Sequence, residues 1–486
     1  GMIPFANKKI TFKGRLGPVQ AIAIDLDKGQ IWDSKSLKNQ ISKDYKKYNK
    51  QIVDLDKKLG ATKEKFIYRG DELRSRQFLA GITIEDLELI LHPMVEDIKE
   101  AVGSMGDDTP VSVLSDRYRP LSHFFRQNFS QVTNPPIDSL RENEVMSLKT
   151  RFGNTGNILD FENLTKDNIY VLESPVLSNM QFEKFLDFFK KNIKVLDCTF
   201  DITKSLRKRL DELRAEAEVS VREGGKYLIL SDKEINANKA PIPMALAIGA
   251  VNSRLTELGI RGFASINVQT GEVLDTHSFA VLLGVGATTI NPYVAFDSIY
   301  QRYEKGLFGK LSFEECIRRY VKSVDNGLLK IMSKMGISVL SAYRGGCNFE
   351  AVGLSRSVIA EYFPGMISRI SGIGIAGIEK KIKKLHKKAF QKNISILPIG
   401  GIYKYRKNGE IHQYQGKLIH LLQSAVTNNS YDLYKKYVKG IYELPPINLR
   451  DLIDFRKRYL KSSIDISEVE SVNDILKRFG SGSMSH

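Results

Sequence analysis

The chain has 486 residues, of which 42% are hydrophobic and 27% are charged, and this composition is typical of globular domains rather than of disordered, collagen-like or coiled-coil chains. At roughly 100–200 residues per domain, the length indicates two to four domains. The three cysteines, Cys198, Cys316 and Cys347, exclude a disulfide scaffold and lie too far apart for a zinc or iron–sulfur spacing. They fit a reducing compartment.

The formal net charge is +17, and two interpretations are open. A lysine-rich surface is favoured, because the lysines are spread along the whole chain, whereas a nucleic-acid binder concentrates its charge near aromatic residues. The densest basic run, residues 380–388, predicts a surface helix, since Ile378, Ile382, Leu385 and Ala389 share one helical face. We therefore expect no nucleic-acid partner.

The longest uncharged stretch, residues 276–296, could span a bilayer by length alone. It contains His277, Asn291 and several glycine and proline residues, so it predicts a buried strand and a loop rather than a membrane helix. No signal peptide is visible at the start of the chain. The sequence thus predicts a cytoplasmic protein without a membrane partner.

In chain order, the first predicted element is a hairpin over residues 16–33. Residues 35–58 are polar and lysine-rich, which favours a helical linker and a domain boundary near residue 50. Thr83 followed by Asp86 resembles a capping box that opens a helix over residues 84–91.

Residues 103–157 form a long polar segment marked by glycines and prolines. Such a segment is often functional in a globular chain. A rigid structural loop that wraps the core is the alternative, and the residues alone favour it.

From residue 190 onward, strands and helices alternate, which predicts parallel βαβ units and an α/β fold. The predicted strands cover residues 193–197, 226–230, 262–268, 279–283 and 337–341. The predicted helices include residues 241–258, 291–305, 312–335 and 355–363, together with an amphipathic helix that ends at Gly224 and Gly225.

Three features could carry chemistry, and each has a structural alternative that the residues favour. The glycine-rich run 284–289 could hold a phosphate on backbone amides, but close packing of the chain is favoured. His277, two residues after Asp275, could act as an acid or base, but a hydrogen-bonded loop histidine is favoured. Cys347 beside Arg344 could be a nucleophile, but a structural cysteine is favoured.

The segment 114–142 closely resembles the central domain of the glutamate synthase large subunit. It reads Leu-Ser-Asp-Arg-Tyr-Arg-Pro-Leu-Ser-His-Phe-Phe-Arg-Gln-Asn-Phe-Ser-Gln-Val-Thr-Asn-Pro-Pro-Ile-Asp-Ser-Leu-Arg-Glu. Further ordered matches follow over nearly the whole chain, at residues 146–150, 172–175, 275–277, 284–291, 327–336 and 349–355.

The resemblance implies a multi-step enzyme that makes two glutamates from glutamine, 2-oxoglutarate and a reductant. In this family a glutaminase domain releases ammonia, which passes through an internal tunnel to an FMN domain. There reduced FMN delivers hydride to 2-iminoglutarate. An iron–sulfur cluster relays electrons from an NADPH-oxidising small subunit or from ferredoxin.

The resemblance also implies a domain order and a fold. Residues 1–50 resemble the end of the glutaminase domain, residues 51–407 the central domain, and residues 408–486 the start of the FMN domain. The central domain is expected to resemble a rudimentary (β/α)8 TIM barrel with short pieces of its neighbours on either side. The resemblance thus implies an excised piece or a truncated reading frame, with the cluster cysteines outside it.

By position in the matching motifs, Thr133 and Asn291 resemble residues of the ammonia tunnel, and Met484 and Ser485 resemble the first part of an FMN site. No catalytic residue, metal site or bound cofactor is expected in this chain. Three hypotheses stay open: a linking part of glutamate synthase that is inactive alone, a stand-alone scaffold that pairs with other synthase fragments, and a nucleic-acid binder. The first is favoured.

Overall fold

The structure of the protein is a computed structural model, and the residues that it describes fall into eleven ranges. They are residues 9–10, 12–45, 52–60, 63–101, 113–128, 137–138, 140–152, 168–391, 396–412, 415–456 and 463–479. The predicted site residues Thr133, Met484 and Ser485 lie outside these ranges, as do residues 103–112, 129–136, 139 and 153–157 of the polar segment 103–157.

The described residues form fourteen strands and seventeen α-helices. The strands are β1 Ala23–Asp25, β2 Gln30–Trp32, β3 Ile52–Asp54, β4 Phe125–Gln127, β5 Thr150–Phe152, β6 Ile169–Leu172, β7 Ile193–Asp197, β8 Thr199–Asp201, β9 Tyr227–Ser231, β10 Lys239–Pro241, β11 Ser265–Gln269, β12 Thr289–Asn291, β13 Phe349–Leu354 and β14 Ile367–Ile373. The helices are α1 Ser34–Tyr45, α2 Leu55–Leu59, α3 Gly70–Leu79, α4 His92–Glu96, α5 Glu142–Val145, α6 Asn179–Phe189, α7 Leu206–Arg222, α8 Met244–Glu257, α9 Thr276–Gly284, α10 Tyr293–Glu304, α11 Phe313–Met335, α12 Leu340–Tyr343, α13 Arg356–Tyr362, α14 Ile375–Ala389, α15 Gly416–Thr427, α16 Tyr431–Tyr442 and α17 Val472–Phe479.

The largest sheet is parallel and four-stranded, with the strand order β12-β11-β9-β7. Helix α7 connects β7 to β9, α8 connects β9 to β11, and α9 connects β11 to β12. The predicted βαβ alternation is therefore confirmed. Strands β9, β11 and β12 are buried at every residue, which is typical of a parallel sheet covered on both faces.

The fold is mixed α/β, as predicted, but the described strands do not form a closed barrel. They pair into five separate sheets, and strands β8 and β10 form an antiparallel pair outside the parallel sheet. Strand β13 pairs with β4 and β14 in another small sheet. No helix of the described residues is long and apolar enough to cross a membrane.

Two predicted strands are wrong. Residues 279–283 lie in helix α9, in which every residue is buried. A short segment that is apolar on all sides shows no helical period, so its pattern cannot be distinguished from that of a buried strand. Residues 337–341 make only an isolated bridge, between Val339 and Ser147, before the short helix α12 begins.

Several other local predictions are confirmed. The hairpin is β1 paired antiparallel with β2. Thr83 and Asp86 bond reciprocally, since the Asp86 amide donates to Thr83 Oγ1 at 3.2 Å and the Thr83 amide donates to Asp86 Oδ2 at 2.8 Å. The helix that begins there has π-helical hydrogen bonding over Asp86–Leu91. The basic helix α14 buries the predicted apolar face of Ile378, Ile382, Leu385 and Ala389.

Candidate functional site

Buried polar side chains gather at the carboxyl edge of the parallel sheet, where β9, β11 and β12 end side by side. The register pairs Gln269 with both Ser231 and Asn291, and Asp232 and Thr270 follow directly along the chain. All five residues are less than 9% exposed. In open parallel sheets this edge is the usual position of a binding site.

Asn291, a predicted tunnel residue, is fully buried at this edge. Its side-chain amide donates to the Leu177 carbonyl at 3.1 Å and to Asn179 Oδ1 at 3.0 Å, and its Oδ1 accepts from Gln269 Nε2 at 3.3 Å. Its backbone carbonyl accepts from the Thr270 amide. The side chain is thus held in one orientation. Because Thr133 lies outside the described residues, the proximity of Thr133 and Asn291 stays a prediction.

Asp232 is the most enclosed carboxylate of this polar edge, and sequence analysis did not identify it as functional. It accepts hydrogen bonds from the Thr270 hydroxyl at 2.7 Å and the Tyr293 hydroxyl at 2.9 Å, and one from the Gly271 amide. Burial raises the pKa of Asp232, and these hydrogen bonds oppose the shift. The sequence feature that could have identified Asp232 is the pair Ser231-Asp232 at the end of a buried strand.

A small cavity of about 50 Å³ lies on the same side of the sheet and is lined by Asp86, Glu272, Asp275 and Ser278. Burial raises the pKa of Glu272 to about 8 and the pKa of Asp86 to about 6. A protonated carboxyl group is neutral and can donate a hydrogen bond. A carboxyl group with a pKa near 8 is mostly protonated at neutral pH, whereas one with a pKa near 6 is mostly ionised, so Glu272 and Asp86 differ in charge there.

The glycine-rich run 284–289 does not hold a phosphate on its backbone amides. The Gly286, Ala287 and Thr288 amides donate to carbonyl oxygens of Leu283, Leu282 and Ile266. A Cβ on Gly284 would lie 2.6 Å from the Phe349 ring, and one on Gly286, whose φ is +131°, would lie 2.7 Å from the Asn252 side chain. Close packing, the favoured interpretation, is what the structure shows.

His277 is buried within helix α9 rather than in a loop, and its Nε2 lies 3.0 Å from the Ser122 carbonyl oxygen. The neighbouring Asp275 caps the helix by accepting from the Ser278 amide. Both contacts are structural, which agrees with the favoured interpretation of His277 as a hydrogen-bonded histidine.

Cys347 is exposed and has a φ of +51°. Among the described residues, no group of three or more histidine, cysteine or acidic side chains could hold a metal ion.

Comparisons with known proteins identify two family models along the chain. The model described as "Glutamate synthase central domain" matches residues 75–355, and the model described as "Glutamine amidotransferases class-II" matches residues 1–50. The first match covers more than half of the chain and contains the whole parallel sheet.

Curated relatives match over the full length of this chain. It is 50% identical to the glutamate synthase [NADPH] large chain of Azospirillum brasilense and 37% identical to that of Bacillus subtilis. It is 34% identical to the chloroplastic ferredoxin-dependent glutamate synthase of Spinacia oleracea. The matches cover 100% of this chain but only 32%, 32% and 31% of the relatives. The chain thus spans about a third of their length.

Solved structures give a much weaker likeness. A flavocytochrome b2 variant with sulfite bound matches at a TM-score of 0.22 with 13% identity, over 35% of this chain and 38% of the other. A likeness at this level carries no inference about fold or function.

Proposed function

The chain belongs to the glutamate synthase family, and we propose that it forms the part of such an enzyme that links the glutaminase and FMN sites and lines the ammonia path between them. The observation that carries the proposal is the 50% identity with a large chain of this family along the entire length of this one. The complete enzyme would convert glutamine, 2-oxoglutarate and a reductant into two molecules of glutamate.

The proposal assigns three segments to the chain. Residues 1–50 are the end of the glutaminase domain, residues 51–407 are the central domain, and residues 408–486 begin the FMN domain. We assign no catalytic residue to this chain and expect it to be inactive alone. FMN and an iron–sulfur cluster would belong to the complete enzyme, together with an NADPH-oxidising subunit or ferredoxin as electron donor, in the cytoplasm.

The polar edge of the sheet supports the proposed path. Ammonia is neutral and needs hydrogen-bond partners without a fixed charge, which would bind or protonate it. Asn291 on that edge carries uncharged hydrogen-bonding groups, and burial raises the pKa of the neighbouring Glu272 to about 8, which favours its neutral form. We infer that Asn291 and Thr133 face one passage. We also infer that Met484 and Ser485 belong to the flavin site.

A bulky substitution in the proposed passage tests the function in a complete glutamate synthase that carries this segment. We expect Thr133→Phe to uncouple glutamine hydrolysis from glutamate formation, because ammonia would no longer cross to the second site. Ammonia-dependent synthesis should be largely intact. Both rates are measured in the same preparation, as glutamate released from glutamine and as 2-oxoglutarate consumed.

Thr203→Phe is the matched control, since Thr203 lies in an exposed turn outside the polar edge. It should keep the two rates coupled. Full coupling in Thr133→Phe, or equal loss of glutamine-dependent and ammonia-dependent synthesis, would contradict the proposed path.

A further inference from the structure

A second, larger cavity opens at the opposite edge of the parallel sheet. Its volume is about 520 Å³, and its wall includes Ser265, where β11 begins, and part of the glycine-rich run, Gly284, Val285 and Thr288. Pockets for small molecules commonly enclose about 300–1,000 Å³. The cavity is therefore large enough for a ligand of several non-hydrogen atoms.

Two arginines of this wall donate hydrogen bonds to the carbonyl groups of consecutive residues. Arg261 donates to the Gly286 carbonyl at 2.9 Å, to the Ala264 carbonyl at 2.6 Å and to Asn252 Oδ1 at 2.7 Å. Arg344 donates through Nε to the Ala287 carbonyl at 2.9 Å. Because Gly286 and Ala287 are neighbours in the chain, the two guanidinium groups are held side by side.

Neither arginine has an acidic partner among the described residues. The lining includes a third arginine, Arg151, but no aspartate or glutamate among the residues that the structure describes there. The terminal nitrogens of Arg344 make no hydrogen bond to any described residue. No acidic side chain among the described lining residues compensates the positive charge of the cavity wall.

This buried charge is costly to the protein. Burial and, to a smaller extent, the nearby charge of Arg344 together lower the pKa of Arg261 to about 10. Burial alone lowers the pKa of Arg344 to about 10. Two like charges in these surroundings favour a bound anion, since guanidinium groups bind carboxylate and phosphate oxygens through charge-assisted hydrogen bonds.

The remaining wall is partly aromatic. Phe349, Phe363 and Met366 line the cavity beside the arginines. An apolar wall next to a charged one fits a ligand with a carbon skeleton better than a bare inorganic ion. We propose that this cavity is a binding site for a small organic anion, with Arg261 and Arg344 on its carboxylate or phosphate group and its carbon skeleton against the aromatic wall.

This site is separate from the proposed ammonia path. Ser265 and Gln269 are the two ends of β11, and four residue steps place them about 13 Å apart. Asn291 pairs with the far end. The two proposals therefore fail or succeed independently.

Cys347 provides a direct readout, because it lines the cavity and is exposed, whereas Cys198 and Cys316 are buried. The experiment measures alkylation of each cysteine by N-ethylmaleimide, using peptide mass spectrometry. Phenyl phosphate and benzoate are the two probes, with sodium chloride at the same ionic strength as the reference. We expect at least one probe to slow alkylation of Cys347 in a saturable manner, and the more effective one identifies the preferred anionic group.

Substitutions then test the arginines. Loss of a charged hydrogen-bonding partner typically weakens binding about tenfold or more, so Arg344→Gln should raise the half-protecting concentration by about that factor. Arg151 is exposed, and Arg151→Gln, a variant without risk to the core, should raise it about twofold to fivefold. Arg318→Gln is the control, since Arg318 pairs with Glu315 on the surface of α11.

Two results would overturn the proposal. One is alkylation of Cys347 that neither probe slows beyond the sodium chloride reference. The other is protection at the same concentration in Arg344→Gln and Arg151→Gln as in Arg318→Gln. Circular dichroism of each variant verifies that its fold is retained, and Arg151→Gln decides the question if Arg344→Gln does not fold.

Discussion

The helices around the parallel sheet and the helices near the end of the chain have similar apolar content but very different burial. In the sheet region, nine of the fourteen residues of α8 and every residue of α9 are buried. In the C-terminal region, α16 and α17 have no buried residue, and α15 buries only Leu418 and Ala425. Phe455 and Phe479 are more than three-quarters exposed.

This difference shows where the chain can stabilise itself. Burial of apolar surface contributes roughly 25 cal/mol per Å², and the sheet region obtains it from its own helices. The eight-residue helix α17 is too short to be stable without packing. Its apolar side chains Val472, Leu476 and Phe479 are exposed.

The largest expected effect comes from removing a core side chain. Leu213→Ala should lower the free energy of unfolding by about 2–5 kcal/mol, because Leu213 on α7 is fully buried and the substitution leaves a cavity. The matched change Leu476→Ala on α17, where the side chain is 64% exposed, should cost about 0.5 kcal/mol or less. Urea unfolding followed by circular dichroism measures both, and equal losses would contradict the contrast.

The pKa values of carboxyl groups differ between the same two regions. In the sheet region burial raises the pKa of Glu272 to about 8 and that of Asp297 to about 7. In the C-terminal region the pKa of Asp451 is lowered by backbone hydrogen bonds from Asn448 and Ile447, and that of Asp465 by hydrogen bonds from Ser467. Burial is thus the main influence on these carboxyl pKa values in the sheet region, and local hydrogen bonding is the main influence in the C-terminal region.

A pH-dependent effect follows from Glu272. Its raised pKa means that the folded state binds its proton more tightly than the unfolded state does, so stability is greatest below about pH 4.5 and is lost as the pH rises to about 8. Glu272→Gln keeps an acceptor for the Met244 amide and removes the titration. The variant should therefore gain stability over the natural sequence as the pH rises from 5 to 8.

Urea midpoints at pH 5 and pH 8 measure this effect. Glu468→Gln in the C-terminal region is the control, since Glu468 is exposed and should leave the pH dependence unchanged. A pH dependence that is the same in Glu272→Gln and in the natural sequence would contradict a buried, protonated Glu272.

Much of the fold could be predicted from the sequence because its signals are local. Alternating strands and helices identified the βαβ units. Helix α7 is the predicted amphipathic helix, and α10 and α11 lie within the predicted ranges 291–305 and 312–335. Helix α9 was not predictable in this way because it is buried on every side. Whether strands close into a barrel depends on pairings between distant segments, which no local pattern specifies, and the described strands pair into five separate sheets.

The candidate sites were only partly predictable. Asn291 came from a motif resemblance, and its hydrogen bonds explain why an asparagine suits that strand end. The neighbouring arginines Arg261 and Arg344 are far apart in the chain and meet only through the carbonyl groups of one turn. Such a meeting depends on tertiary structure, so no spacing in the sequence could indicate it.

Hydrogen exchange of the intact chain, followed by mass spectrometry, tests the contrast between the two regions most directly. Helices α8 and α16 have similar lengths, 14 and 12 residues, but α8 buries nine residues and α16 none. Because local opening free energies range from near zero to the global value, amides of α8 should exchange roughly a hundredfold or more slowly than those of α16. Equal protection of the two helices would contradict the account.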